Sequence, residues 1–163
     1  MNVWKIRSED KTALEFGKWA TGKMSRSAFP MSKSKAKAYR LGSAWTWRVI
    51  KFEVDGSQYR VLVAYRTDKE QFMATLALED AGDMRIVASL EYHPNHGGWH
   101  IHYANEPMAD VPSGVRRGPW VRRMECVKHK QFGLTGSSAG ARAMTIIADV
   151  YGLKRTNGQG PML

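Results

Sequence analysis

The sequence predicts an α+β domain: one antiparallel meander of about five strands, with a helix at the N-terminal end and another at the C-terminal end. Short stretches of alternating apolar and polar residues fill the middle of the chain, and turn residues separate them. Apolar residues at helical spacing occur before and after this region. A chain of 163 residues suits one core, so we expect residues 1–163 to form a single domain.

Residues 1–43 are predicted to form a basic arm of helix and loop. Ser8 is followed by two acidic residues, a pattern typical of a helix start. The rest of the arm is rich in Ser, Lys and Ala, with a short helix expected over Ser32–Tyr39. The apolar stripe of the first helix is predicted to consist of Ala13, Phe16 and Ala20, with Trp19 as a further candidate.

Residues 44–105 are predicted to form the antiparallel sheet. Asp55-Gly56-Ser57 is a hairpin turn signal, because Gly readily adopts a positive φ. The fourth strand would place Ile86, Ala88, Leu90 and Tyr92 on one face. The expected strands are Trp45–Val54, Tyr59–Arg66, Phe72–Glu79, Met84–His93 and Trp99–Asn105.

Residues 106–136 are punctuated by Pro and Gly, which predicts a basic loop region with a short strand around Trp120–Val127. Residues 137–152 are predicted to be the C-terminal helix, capped by Ser137 or Ser138 and ended by Gly152.

The charge is unevenly distributed along the chain. There are 25 Lys and Arg against 15 Asp and Glu, a net charge of +10. The two ends are basic and the middle is acidic. A basic surface attracts polyanions by releasing their counterions, so nucleic acid is the first candidate partner. An anionic membrane surface, a protein partner and a solvated face with no partner are the alternatives.

Cysteine content and hydropathy exclude several classes. The single cysteine, Cys126, allows neither an intrachain disulfide nor a four-cysteine zinc site. No apolar run is long enough to span a membrane, and the N-terminus does not resemble a secretory signal. We therefore expect a cytoplasmic protein.

Four of the five histidines lie within ten residues, from His93 to His102. If Tyr92 pairs with Trp99 on the buried face, the same register brings Glu91 opposite His100 and Ser89 opposite His102. We therefore expect a non-core face that carries Glu91, His93, His100 and His102, with His96 at the turn.

This histidine cluster suits two kinds of chemistry. Paired imidazoles can act as general acid and general base near neutral pH. His100 and His102, at strand spacing, can also bind a divalent metal ion together with His93, and that ion would activate water or a hydroxyl. The residues alone do not decide between the two, and a solvated polar face is the alternative to both. Any cofactor is therefore unknown, with a divalent metal ion as the candidate.

Four arginines follow the hairpin and suit phosphate binding: Arg116, Arg117, Arg122 and Arg123. The glycine-rich run from Gly133 to Gly140 precedes the last helix and could cradle a phosphate on backbone N–H groups. It lacks the Lys-Ser/Thr ending of a nucleotide-binding loop, so we interpret it as the start of the helix. Trp45, Trp47, Trp99 and Trp120 could stack on bases, but core packing is the favoured interpretation.

His100-Ile101-His102 resembles the histidine–hydrophobe–histidine motif of the HUH single-strand endonucleases. Tyr151-Gly152-Leu153-Lys154 resembles the Tyr-x-x-Lys motif of their replication-initiator branch. The resemblance covers seven residues and implies that His100 and His102 hold a divalent metal while Tyr151 attacks a DNA phosphate.

The leading hypothesis is a small nuclease or related phosphodiester-cleaving enzyme acting on RNA or DNA, of a kind that would suit a toxin or a defence effector. His100, His102, His93 and Glu91 would form its catalytic site. A non-catalytic nucleic-acid-binding module is the second hypothesis. An HUH-type endonuclease with Tyr151 as nucleophile and an interaction domain with a structural metal are further alternatives.

Overall fold

A computed structural model describes residues 2–32, 41–95, 97–125 and 131–153. Its described part forms one antiparallel sheet of eight strands with two short helices. The α+β meander is thus confirmed in outline, with more strands than expected. The elements are α1 Val3–Ser8, β1 Thr12–Phe16, β2 Ala20–Thr21, β3 Thr46–Val54, β4 Ser57–Arg66, β5 Gln71–Asp80, β6 Asp83–His93, β7 Gly98–Ala104, β8 Val121–Glu125 and α2 Ala139–Tyr151.

The strands from β3 to β8 follow one another across the sheet in chain order, while β1 and β2 both pair with β3. The predicted hairpin between β3 and β4 is confirmed, with Val54 opposite Ser57. Asp55 and Gly56 have φ values of 48° and 71°, the two positive values that a tight hairpin turn requires.

The predicted helix after Ser8 is wrong. Ser8 ends α1, whose N-terminus is capped by Asn2, and the chain then forms β1 against β3. Lys11 stops the helix, because its buried ammonium donates to the carbonyls of Ile6, Arg7 and Glu9. The helical spacing of the apolar residues was a weaker determinant than the free edge of β3.

The sheet has two differently covered faces. Helices α1 and α2 pack on one, which we call the helix face. The paired residues Ile50, Val61, Leu76 and Ala88 form a row across this face. The other, which we call the arm face, carries a smaller apolar cluster formed with side chains from the segment that precedes β3. That cluster is made of Phe29, Met31, Leu41, Leu62, Ala64, Met73, Ala77, Met84 and Ile86.

A bulge in β6 corrects one predicted face. Leu76 pairs with Ala88 but Ala77 pairs with Ile86, so Val87 is an extra residue. Ile86 therefore lies on the arm face, whereas Ala88 lies on the helix face. The alternation predicted for Leu90 and beyond holds, because those positions follow the bulge.

The predicted loop region contains β8, near the strand expected around Trp120–Val127. Helix α2 begins at Ala139 after one 3₁₀ turn, Gly136–Ser138, and ends where Gly152 adopts φ 66°, as the sequence predicted. Ser138 occupies the N-cap position, but its hydroxyl donates to the carbonyl of Thr135 and caps no N–H group. The predictions for Cys126, His96, Lys154 and residues 33–40 lie outside the described residues.

Candidate active site

The predicted register of the histidine hairpin is confirmed. Strands β6 and β7 pair Tyr92 with Trp99, Glu91 with His100, Ser89 with His102 and His93 with Gly98. Trp99 is 1% exposed in the core of the helix face. Glu91, His93, His100 and His102 consequently share the arm face, at the end away from β3.

Glu91 lies at the centre of this group and is almost fully buried. Its Oε1 accepts hydrogen bonds from Ser89 Oγ at 2.9 Å, from Arg116 Nη2 at 2.9 Å and from Arg117 Nη2. Its Oε2 lies 3.2 Å from His93 Nε2. Both carboxylate oxygens therefore have partners, and the side chain is held in one orientation.

Glu91 is ionised near neutral pH. Burial alone would raise the pKa of its carboxyl group. The positive charges of Arg116 and Arg117 and the hydrogen bonds from Arg117 and Ser89 outweigh burial and lower this pKa to about 2. The site is thus organised around a buried anion that contacts two arginines.

The ring of His100 is held by its own hairpin. His100 is buried, and its Nδ1 lies 2.9 Å from the carbonyl oxygen of Gly98. Since a carbonyl only accepts, Nδ1 is the donor in this bond, and Nε2 is the ring nitrogen left for another partner. The rings of His93 and His102 lie on either side, with centroids 5.8 Å and 5.0 Å from that of His100.

His102 is neutral around pH 7. Burial lowers its pKa, the charges of Arg117 and Arg123 lower it further, and Glu91 opposes them only in part. The resulting pKa is about 4. A neutral imidazole beside two arginines can accept a proton or bind a metal ion.

The four predicted phosphate-binding arginines are not grouped as expected. Arg116 and Arg117 contact Glu91, and Arg123 lies opposite His102 on β8 and pairs with Glu125 at 2.8 Å. Arg122 is opposite Tyr103, so it projects from the other face of the sheet and donates to the carbonyl of Pro119. The structure therefore separates Arg122 from the histidine site, because adjacent residues of a strand point to opposite faces.

The centre of the site is buried. Glu91, Ser89 and His100 are buried, since the apolar cluster of the arm face continues up to Met73, which contacts Arg116. Sequence reasoning missed Glu125, which lies opposite His100 at the edge of the site. Only the strand alternation of β8 could have indicated it.

One oxygen of Glu91 and one nitrogen each of His100 and His102 lie within 4.8 Å of one another. This donor set suits a divalent ion such as Zn²⁺ in chemical type. The predicted set of His93, His100 and His102 differs, because Glu91 takes the place of His93. The two arginine contacts on Glu91 oppose a further cation, which would have to compete with them for the same carboxylate.

Tyr151 is not available as a nucleophile. It is fully buried on the helix face, where its hydroxyl donates to the carbonyl of Ala74 at 2.6 Å and accepts from the N–H of Leu90 at 3.0 Å. The histidines are on the other side of the sheet. The Tyr151 role implied by the HUH resemblance is therefore wrong for this fold.

Comparison of the chain with models of protein families, with curated proteins and with solved structures finds no match. Among the residues described, no helix has the length and apolar character needed to cross a membrane.

Proposed function

We propose that the protein is a cytoplasmic nuclease that cleaves phosphodiester bonds at the Glu91–histidine site. The observation that carries the proposal is the convergence of one buried, ionised carboxylate with three imidazoles and three guanidinium groups on the arm face. Such a set contains the groups that phosphodiester cleavage needs: a proton acceptor, a proton donor and cations for the phosphate oxygens.

His102 is the proton acceptor in this proposal. Its pKa of about 4 keeps the ring neutral, and the flanking arginines bring an anionic phosphate close to it. The ring removes the proton of the attacking hydroxyl, from water or from a ribose. The hydroxyl oxygen then bonds to phosphorus as the bond to the leaving oxygen breaks.

His93 is the proton donor. Its Nε2 is oriented by Glu91 Oε2 at 3.2 Å, and its side chain is 34% exposed, so it can reach substrate at the mouth of the site. The leaving oxygen receives the proton from this ring. Arg117 and Arg123 are the more exposed of the arginines and neutralise the non-bridging oxygens of the phosphate.

The Glu91–arginine contacts favour metal-free acid–base chemistry in this site. The proximity of donor atoms in Glu91, His100 and His102 supports a second candidate, a metal-dependent nuclease with the same residues. A metal ion bound there would supply an activated water and a positive charge for the phosphate. Removal of metal separates the two candidates.

The test is cleavage of end-labelled single-stranded RNA and DNA by the wild type, H102Q, H93Q and the control K51Q, with and without a chelator. Lys51 lies on β3 and pairs with exposed Glu15, away from the site. We expect wild type and K51Q to cut and each histidine variant to lose at least about 100-fold in rate, as loss of an acid or base predicts.

Activity that survives the chelator supports acid–base chemistry, and activity restored only by added metal supports the metal-dependent form. If the folded wild type cuts neither substrate with or without divalent ions, the nuclease proposal fails. Salt-sensitive binding without cleavage would then indicate a nucleic-acid-binding module. A melting temperature lowered by the chelator, with no effect of nucleic acid, would indicate a domain with a structural metal.

A further inference from the structure

The hydroxyl side chains beneath the Glu91–histidine site are too buried to attack a phosphate. Ser89 is 2% exposed, and its Oγ donates to Glu91 Oε1 at 2.9 Å. The same Oγ lies 3.1 Å from the hydroxyl of Thr75, which is fully buried. In the proposed reaction the histidines transfer protons. The oxygen that attacks phosphorus therefore comes from water or from the substrate.

The two carboxylates of the site are poorly placed to activate water. Glu91 Oε1 accepts hydrogen bonds from Arg116 Nη2 and Arg117 Nη2. Glu125, at the edge of the site, pairs with Arg123 at 2.8 Å. A carboxylate that a guanidinium group already pairs is a weak proton acceptor. The proton acceptor of the site is therefore an imidazole.

An imidazole is a weak base for the deprotonation of bulk water, which is a far weaker acid than metal-bound water. It suffices more readily for a hydroxyl group that the substrate already holds beside phosphorus, because such a nucleophile has a very high effective concentration. The 2′-hydroxyl of RNA is held in this way beside the adjacent phosphodiester, and DNA lacks it. An imidazole base thus favours RNA over DNA as the substrate.

The order of the three imidazoles along β7 suits an in-line displacement. His93 pairs with Gly98, two residues before His100, and His102 lies two residues after it. The ring centroids of His93 and His102 lie 5.8 Å and 5.0 Å from that of His100. The attacking and leaving oxygens lie on opposite sides of phosphorus in such a displacement. A phosphate bound over His100 would have one outer imidazole on each side.

We propose that the substrate of this site is RNA, cleaved by attack of its own 2′-hydroxyl group. The inference rests on the nuclease function proposed above. His102 takes the proton of the 2′-hydroxyl, and the 2′-oxygen bonds to phosphorus. The bond from phosphorus to the 5′-oxygen breaks, and this oxygen keeps the electron pair and receives a proton from His93. The products are a 2′,3′-cyclic phosphate and a 5′-hydroxyl, and the step consumes no water.

The test compares end-labelled strands of one sequence in the presence of a chelator: RNA, DNA, and RNA with a single 2′-deoxynucleotide at a cleaved position. We expect the wild type to cut RNA at least about 1,000-fold faster than DNA, as loss of an internal nucleophile predicts. The single 2′-deoxynucleotide should abolish the cut on its 3′ side and leave the other cuts unchanged. The 5′ fragment should resist phosphatase until acid opens its cyclic phosphate.

Two variants purified in the same way show whether the cleavage belongs to this site. H102Q should cut RNA at least about 100-fold more slowly than the wild type. K51Q should cut it at the wild-type rate, because Lys51 pairs with exposed Glu15 away from the site. Equal RNA cleavage by H102Q and the wild type would assign the activity to a contaminating ribonuclease and overturn the inference.

The outcomes separate this inference from the nuclease proposal. If neither RNA nor DNA is cut, with or without divalent ions, both fail. Equal cleavage of RNA and DNA, a cut retained at the 2′-deoxynucleotide, or a 5′-phosphate on the downstream fragment would overturn the inference alone. In each of these three cases the attacking oxygen is that of water, and the nuclease proposal stands.

Discussion

The two faces of the sheet each bury a charged side chain, but the partners of the two charges differ. On the arm face, Glu91 has two arginines, a serine and a histidine around its carboxylate. On the helix face, Arg48 lies against the ring of Trp19, and none of the ion pairs among the described residues includes it. Hydrogen bonds and ion pairs fix the orientation of the Glu91 carboxylate, whereas the guanidinium of Arg48 stacks on an aromatic ring and its Nε has no hydrogen-bond partner among the described residues.

The largest effect on stability is expected when the negative charge of Glu91 is removed. We expect Glu91→Gln to lower the free energy of unfolding by about 3 kcal/mol, because Arg116 and Arg117 then lose the anion that orders them. Urea denaturation measures the effect. Glu15→Gln is the matched control and should change stability by less than about 0.5 kcal/mol, since its pair with Lys51 is exposed. Equal effects of the two variants would contradict the role of Glu91 as the centre of the site.

The second prediction is that the buried hydroxyl of Tyr151, on the helix face, contributes to stability but not to cleavage. Tyr151→Phe removes a hydroxyl that bonds both Ala74 and Leu90, and leaves those two backbone groups without it. We expect a loss of about 2 kcal/mol in the free energy of unfolding. Cleavage per folded molecule should remain at the wild-type rate under conditions where the variant is folded. A stable variant that no longer cuts would restore the nucleophile role to Tyr151.

The third prediction is that a substitution raises the free energy of unfolding instead of lowering it. Arg48→Met should raise the free energy of unfolding by about 1 kcal/mol, because relief of a buried guanidinium whose Nε has no hydrogen-bond partner among the described residues exceeds the lost contact with Trp19. Urea denaturation measures it. A loss of several kcal/mol would mean that Arg48 is compensated within the chain, and the contrast between the two faces would disappear.

The local part of the site could be predicted from the sequence. Strand alternation alone placed Glu91, His100 and His102 on one face, because register is fixed when the opposite face is buried. The turn at Gly56 and the helix end at Gly152 followed from residues that tolerate a positive φ. These features depend on neighbours a few residues apart along the chain.

The features of the fold and the site that the sequence did not predict depend on contacts between segments far apart in the chain. The contact of Arg116 with Glu91 spans 25 residues and is made through a loop with no periodic pattern. The extra residue at Val87 reversed the face of Ile86, and a regular alternation cannot reveal a bulge. Ser8 looked like a helix start because short capping patterns carry no information about a free strand edge nearby.

The smallest expected effect uses two adjacent arginines of β8 as a matched pair. Arg123 lies opposite His102 on the arm face, and Arg122 lies opposite Tyr103 on the other. We expect Arg123→Gln to weaken binding of a non-cleaved oligonucleotide several-fold and to lower the salt dependence by about one phosphate contact. Arg122→Gln removes the same charge and should leave both quantities close to wild type. Equal losses of oligonucleotide binding in the two variants would show that net charge alone governs binding. The arm face would then not be the nucleic-acid-binding surface.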